Sequence, residues 1–220
     1  MFSKSLFGGA ARFAGVVTKQ SAMFSNVRFA SAADFSGASF TQYEDFGGAR
    51  FDGDATFSRA SFIALPRTRY EMDFPQQANF GNATFAQDAD FSKATFTAHV
   101  GFYKATFARA VSFNGASFEG AYFADATFGQ KADFRQTSFM YVKPSFEALD
   151  RRLQRARFSA QADPQDYLFE ARPESPHGFS CSEATLLNRT FILPLGAVLY
   201  DPDSWDEEKQ EYTRISEPAQ

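Results

Sequence analysis

Two histidines, one cysteine and a scatter of carboxylates are the side chains of this 220-residue chain that could do chemistry. A metal site needs three or four ligands brought together. His99 and His177 lie far apart, and neither has a second ligand at metal spacing. Cys181 follows His177 closely enough to suggest a nucleophilic pair, but both fall in a stretch with no regular pattern, and none is expected. His99 is expected at an outside corner, in solvent. Glu44-Asp45 and the neighbours Asp52 and Asp54 fit solvated positions. The glycines are spread along the chain, and no phosphate loop follows a strand and opens a helix. Basic residues do not cluster and the aromatic residues face inward, which argues against nucleic acid as a partner. The sequence implies no enzyme, no cofactor and no metal.

What the chain has instead is a ruler of phenylalanines. They stand at Phe35, Phe40, Phe46, Phe51, Phe57 and Phe62, then at Phe74, Phe80, Phe85, Phe91, Phe96, Phe102, Phe107, Phe113, Phe118, Phe123, Phe128, Phe134 and Phe139, in steps of five or six residues with one exception. With Phe as position i, position i−2 is nearly always Ala. Glu44, Met72, Val100, Val111 and Thr137 are the exceptions. A period-2 relation puts i and i−2 on one side of a strand and turns i−1 outward. The i−1 residues agree, among them Asp34, Ser39, Asp45, Thr56, Asp90 and Thr95. Turn formers such as Ser36-Gly37, Gly47-Gly48 and Asn114-Gly115 follow each Phe. Each unit is a very short strand and a corner, and a fixed period of this kind builds a solenoid. A helical coiled coil with an eleven-residue repeat is excluded. At ~100° per residue the Phe and Ala positions would scatter around a helix rather than form one stripe.

Units such as Ala33-Asp34-Phe35-Ser36-Gly37, Ala89-Asp90-Phe91-Ser92-Lys93 and Ala126-Thr127-Phe128 resemble those of the pentapeptide-repeat proteins. The resemblance covers about residues 33–146. It implies an all-β solenoid, a right-handed quadrilateral β-helix with four units per turn and with i and i−2 inside. The sixth residue in alternate units departs from the motif. Read as a one-residue bulge at a corner, it gives 22 residues per turn rather than 20. Stacked backbones ~4.8 Å apart would make five to six turns a rod of roughly 25–30 Å. Columns such as Thr84, Thr106 and Thr127, or Thr95, Ser117 and Ser138, would be solvated.

The solenoid is expected over residues 1–143. Residues 1–32 read as degenerate leading coils, because Phe2, Phe7, Phe13, Phe24 and Phe29 keep the phase with Thr18 filling the gap. The same segment has Lys4, Arg12, Lys19 and Arg28, no acid, and a composition loosely like a transit peptide. A helical cap is expected over 144–172. Phe146, Leu149, Leu153 and Ala156 share one helical face behind Ser145 as N-cap, and a second short helix is expected from Asp163-Pro164 through Glu170. Residues 173–220 read as an irregular, acidic tail, mobile after Asp201, with an apolar stretch Phe191–Tyr200 too short to span a bilayer. The twelve-residue step from Phe62 to Phe74 is read as one slightly expanded coil with Thr68 in the central place. The other reading is a protruding loop with Arg67, Arg69 and Tyr70 as partner contacts.

Residues 1–146 hold 14 Lys/Arg and 12 Asp/Glu, a net of +2, and residues 147–220 hold 8 and 14, a net of −6. A single cysteine allows no internal disulfide and fits a reducing, cytoplasmic setting. No apolar run is long enough for a transmembrane helix. The expected role is a non-enzymatic scaffold, a rigid rod docking an unidentified protein, with self-association at a coil end. The family resemblance also implies an alternative, a DNA mimic that binds DNA gyrase. That role needs a strongly negative rod, and Asp34, Asp45, Asp90 and Asp133 are expected to fall on opposite sides in turn. A membrane-associated regulatory module is the third reading.

Overall fold

The computed structural model describes residues 2–63, 76–147 and 154–220. Strands of two residues stack in parallel on the sides of a square coil. Face A is eight-stranded and begins Leu6–Phe7, Arg28–Phe29, Arg50–Phe51 and Thr84–Phe85. Face B is seven-stranded and begins Ala11–Arg12, Ala33–Asp34, Ala55–Thr56 and Ala89–Asp90. Faces C and D form one nine-stranded sheet, because the longer strands Thr95–Gly101 and Ser117–Tyr122 run around the corner between them. Leu6 pairs with Arg28 and Ala33 with Ala55, so a turn takes 22 residues. Later turns take 21, as in Val111 with Ala132.

The alternation of five and six residues is two kinds of corner. The five-residue step, from face B to C and from D to A, is a tight turn with the residue at i+2 in the left-handed region: Gly37 at φ 62°, Gly48 at 65°, Lys93 and Lys104 at 57°. The N–H at i+3 then donates to the carbonyl of the Phe, as Ala38 does to Phe35 at 3.0 Å. This is the hydrogen bond of a type II turn, whose third position favours Gly or Asn. The six-residue step, from A to B and from C to D, is the wider corner, shortened to five between Phe118 and Phe123.

Inside run four columns of rings. Phe13, Phe35, Phe57, Phe91, Phe113, Phe134 and Phe169 make the column behind face B. Along a column the rings lie nearly parallel, 4.8 Å apart for Phe35 and Phe57, while neighbouring and facing columns meet edge to face, as Phe29 and Phe35 do at 89° and Phe35 and Phe46 at 87°. Both are favoured geometries for aromatic pairs. The eighteen rings Phe35, Phe40, Phe46, Phe51, Phe57, Phe62, Phe80, Phe85, Phe91, Phe96, Phe102, Phe107, Phe113, Phe118, Phe123, Phe128, Phe134 and Phe139 are each at most 2 % exposed. The leading residues join the same columns: Phe7 stacks on Phe29, and Thr18 takes the rung paired with Phe40.

Three expectations are corrected. First, Phe40 stacks on Phe62 and Phe46 on Phe80, and Phe62 meets Phe80 edge to face. Phe62 and Phe80 therefore occupy consecutive sides rather than sides three steps apart, and Thr68 and Phe74 lie outside the described residues. The corner is twelve residues longer than the six-residue one it stacks on. Residues 64–75 themselves lie outside those described.

Second, the described residues contain no α-helix, and the helical cap is not found. Phe146 stacks on Phe123 at 4.9 Å, Phe158 on Phe128 at 4.5 Å and Phe169 on Phe134 at 5.4 Å. The ring columns claim these residues, and a helix could not supply three sides of a square. Leu149 and Leu153 lie outside the described residues. Where a second helix is expected there is one 3₁₀ turn, Pro164–Asp166, followed by the strand Tyr167–Leu168.

Third, the tail is built. The hairpin Cys181–Leu186 and Arg189–Pro194 turns on Leu187 and Asn188, both at positive φ, the pattern of a type I′ turn. It buries Ala184, Phe191 and Leu193 in the core of the coil. Val198–Tyr200 then adds the eighth strand of face A beside Arg157–Ser159. Beyond it, Trp205–Asp206 pairs with Glu211–Tyr212, and Tyr200 bridges Ile215.

Candidate docking faces

With the inward side chains committed to the columns, whatever this chain does to another molecule falls to its outer faces and corners. Face A carries Arg28 and Arg50 in register, both bonded to Asp52 at 2.6 and 2.5 Å. The hydrogen bond from Arg28, with Arg50 beside it, holds the Asp52 carboxyl below the usual carboxylate range. Further along, Thr84, Thr106 and Thr127 pair in register. Face C presents an uncharged hydroxyl column, Ser39, Ser61, Thr95, Ser117 and Ser138.

Face B is acidic. Asp34, Asp90 and Asp133 occupy the outward position of one sheet, in register with Thr56 and Ser112 between them. Asp54 and Asp88 border the same surface at the preceding corner. The expectation that the aspartates alternate sides is therefore wrong for these three; only Asp45 lies elsewhere, on face D. Sequence spacing hid this because the twelve extra residues shift the phase of everything after Phe62. Asp54 and Asp88 accept main-chain N–H groups from the next turn, those of Asp88 and Ala110. Burial raises the pKa of Asp133, but the hydrogen bonds and charge of Arg135 outweigh it and leave the carboxyl below its ordinary value.

Face D is the aromatic side. Tyr103 and Tyr122 stack at 5.9 Å, and the Tyr122 hydroxyl bonds His99 Nδ1 at 3.2 Å. His99 is 6 % exposed, not a solvated corner residue as expected. Its ring lies over Gly120, where a Cβ would sit 3.0 Å from His99 Cδ2 and 2.5 Å from Val142 Cγ2. The glycine leaves room for the imidazole and Val142, a role that spacing alone could not reveal.

The remaining chemical candidates do not combine. His177 bridges Phe139, while Cys181 opens a strand opposite Pro194. Burial pushes the Cys181 thiol up to about 11, away from the reactive thiolate. Among the described residues no group of His, Cys, Asp and Glu is placed to hold a metal ion. Glu44, expected in solvent, is wholly buried. Arg67, Arg69 and Tyr70 lie outside the described residues. No helix among the described residues is long and apolar enough to cross a membrane.

Residues 91–138, from the Phe91 rung through Ser138, match the family model for pentapeptide repeats in 9 copies. No curated protein matches the chain.

Proposed function

We propose that this pentapeptide-repeat protein works without catalysis, as a rigid rod that docks another protein. The observation that carries the reading is the four-column interior. It uses the inward side chains as structure and leaves flat outer faces with a fixed axial repeat of ~4.8 Å. Arg67, Arg69 and Tyr70 are proposed as contacts. They lie in the stretch between the Phe62 and Phe80 rungs, which is twelve residues longer than the six-residue step from Phe40 to Phe46, and contact residues concentrate in inserted segments. Self-association through a coil edge is the second contact proposed, since an unpaired strand edge is a template for pairing.

The test is capture from a lysate with the full chain and with an Arg67→Ala, Arg69→Ala, Tyr70→Ala triple variant, followed by mass spectrometry. A protein enriched by the first and lost with the second supports the reading. Equal recovery by both removes these residues from the interface, and no enrichment over an unrelated β-solenoid removes the scaffold role.

The aligned carboxylates of face B favour a second reading, the DNA mimic, although Arg12 shares their column and Arg135 pairs with Asp133. Asp34, Asp90 and Asp133 align on one side, with Asp54 and Asp88 at its border. Carboxylates on alternate turns, ~10 Å apart, remain sparse beside a duplex with one charge per ~1.7 Å. Inhibition of gyrase supercoiling that Asp34→Asn with Asp90→Asn abolishes would support it. No inhibition by the native chain would dismiss it.

A further inference from the structure

Glu44 stands where the repeat places a small apolar residue. Its partners in the neighbouring turns are Ala22 and Ala78, paired to it residue for residue. The side chain enters the interior and is 0 % exposed. One carboxyl oxygen, Oε1, accepts the Gln42 N–H at 3.2 Å. The other, Oε2, is buried with no hydrogen-bond partner.

Among the described residues, the elements packed against it offer no counter-charge. On its own strand Asp45 faces outward, with Tyr43 just before it. The strand of the preceding turn, Ala22–Met23, has no charged residue, and Lys19 ahead of it is exposed. The strand of the following turn, Gln76–Asn79, has none either. A carboxylate left there would be a buried charge without a partner, which is very costly, whereas the neutral acid buries far more cheaply. Burial accordingly pushes Glu44 up to about 8, against the opposing hydrogen bond from the Gln42 N–H.

We propose that Glu44 is a proton-operated latch on face D. While protonated, it lets Glu44–Asp45 lie tightly between Ala22–Met23 and Gln76–Asn79. When the proton leaves, the carboxylate moves toward water and loosens both pairings. The second of these pairs Glu44–Asp45 with the first described strand after residues 64–75. The folded chain holds a proton that the unfolded chain releases near the ordinary Glu value of about 4.3. Stability therefore falls as pH rises from there to about 8 and levels off above it.

The experiment uses the full chain with ¹³C-labelled Glu carboxyls, titrated by NMR, beside thermal melts of wild type, Glu44→Gln and Glu44→Ala from pH 5 to 9. The expected result is one Glu signal with a midpoint near pH 8 that is missing in both variants. A melting temperature that falls with pH more steeply in wild type than in either variant is expected with it. Exchange of the amides around Glu44, corrected for base catalysis, should rise at least tenfold from pH 6 to 9, while those around Phe113 hold. Titration of Glu44 in the ordinary carboxylate range, or equal pH dependence in all three proteins, overturns the proposal. If a variant does not fold, the wild-type titration decides alone.

Discussion

Phe57 and Phe91 are 34 residues apart in the chain, yet their rings stack 4.8 Å apart with planes 2° from parallel. Each also touches a ring of the facing column behind face D, Phe57 meeting Phe46 and Phe91 meeting Phe80 at close to right angles. Phe91→Ala removes a ring from the middle of the stack and leaves a hole between Phe57 and Phe113. It should cost about 3–5 kcal/mol, the range for large core truncations, read as a lower midpoint in chemical denaturation. Phe91→Asp should prevent folding, since it buries an unpaired charge. A loss under about 1 kcal/mol for the alanine variant would contradict a stacked interior.

Deletion of residues 64–75 should be tolerated. It joins Ile63 to Gln76 and restores the six-residue step between Phe62 and Phe80 that Phe40 and Phe46 already have. Loop length itself changes stability slowly, by about 0.6 kcal/mol per doubling. The deleted chain should keep its β-rich circular dichroism and melt within a few degrees of the parent. An unfolded product would mean that the twelve residues are part of the coil.

Lys104 occupies the left-handed corner position at φ 57°. An L-residue there is strained by roughly 1–2 kcal/mol, and glycine is not. Lys104→Gly should therefore raise stability by about 1 kcal/mol after its greater unfolded-state entropy is charged. Lys104→Ala should change little, because alanine inherits the same strain. A denaturant series on the two variants separates the outcomes.

Asp201 is 2 % exposed and accepts the Arg214 Nε–H at 2.8 Å. Burial raises its pKa, but the Asp203 N–H and Arg214 outweigh that, and the net shift is downward. A depressed carboxyl contributes stability above its unfolded value of about 3.9, and that contribution is lost as pH falls through the folded value. The tail should stay anchored at neutral pH and release in acid. Trp205, the single tryptophan, packs edge to face on Tyr212 at 5.0 Å and reports the event by fluorescence. Arg214→Ala should shift release to higher pH. An unchanged acid transition would show that the pair does not hold the tail.

The interior of the coil was legible because the column needs the same residue type at each rung and the corners permit only two step lengths. The twelve-residue corner was not, because Phe74 keeps nearly the spacing of a rung while the true next side is centred on Phe80. From Phe139 onward the rungs continue at Phe146, Phe158 and Phe169, but the corners between them vary in length and the period disappears. A helical pattern then fitted the same residues by coincidence. Face B stayed hidden for a related reason: which side an aspartate faces depends on the sum of all earlier steps. Glu44 is an exception at i−2, and although a carboxylate beside the outward Asp45 suggests solvent, the repeat's own geometry points it inward.

Each turn of the coil leans on the turn above and the turn below, because the parallel strand pairs and stacked rings of the described residues join adjacent levels. Damage is therefore quarantined. A lesion at one rung weakens two interfaces and leaves distant levels almost unaware of it. The molecule behaves less like a single cooperative globule than like a stack of plates, able to fray from an end, or come loose at one turn, while the remainder keeps its shape.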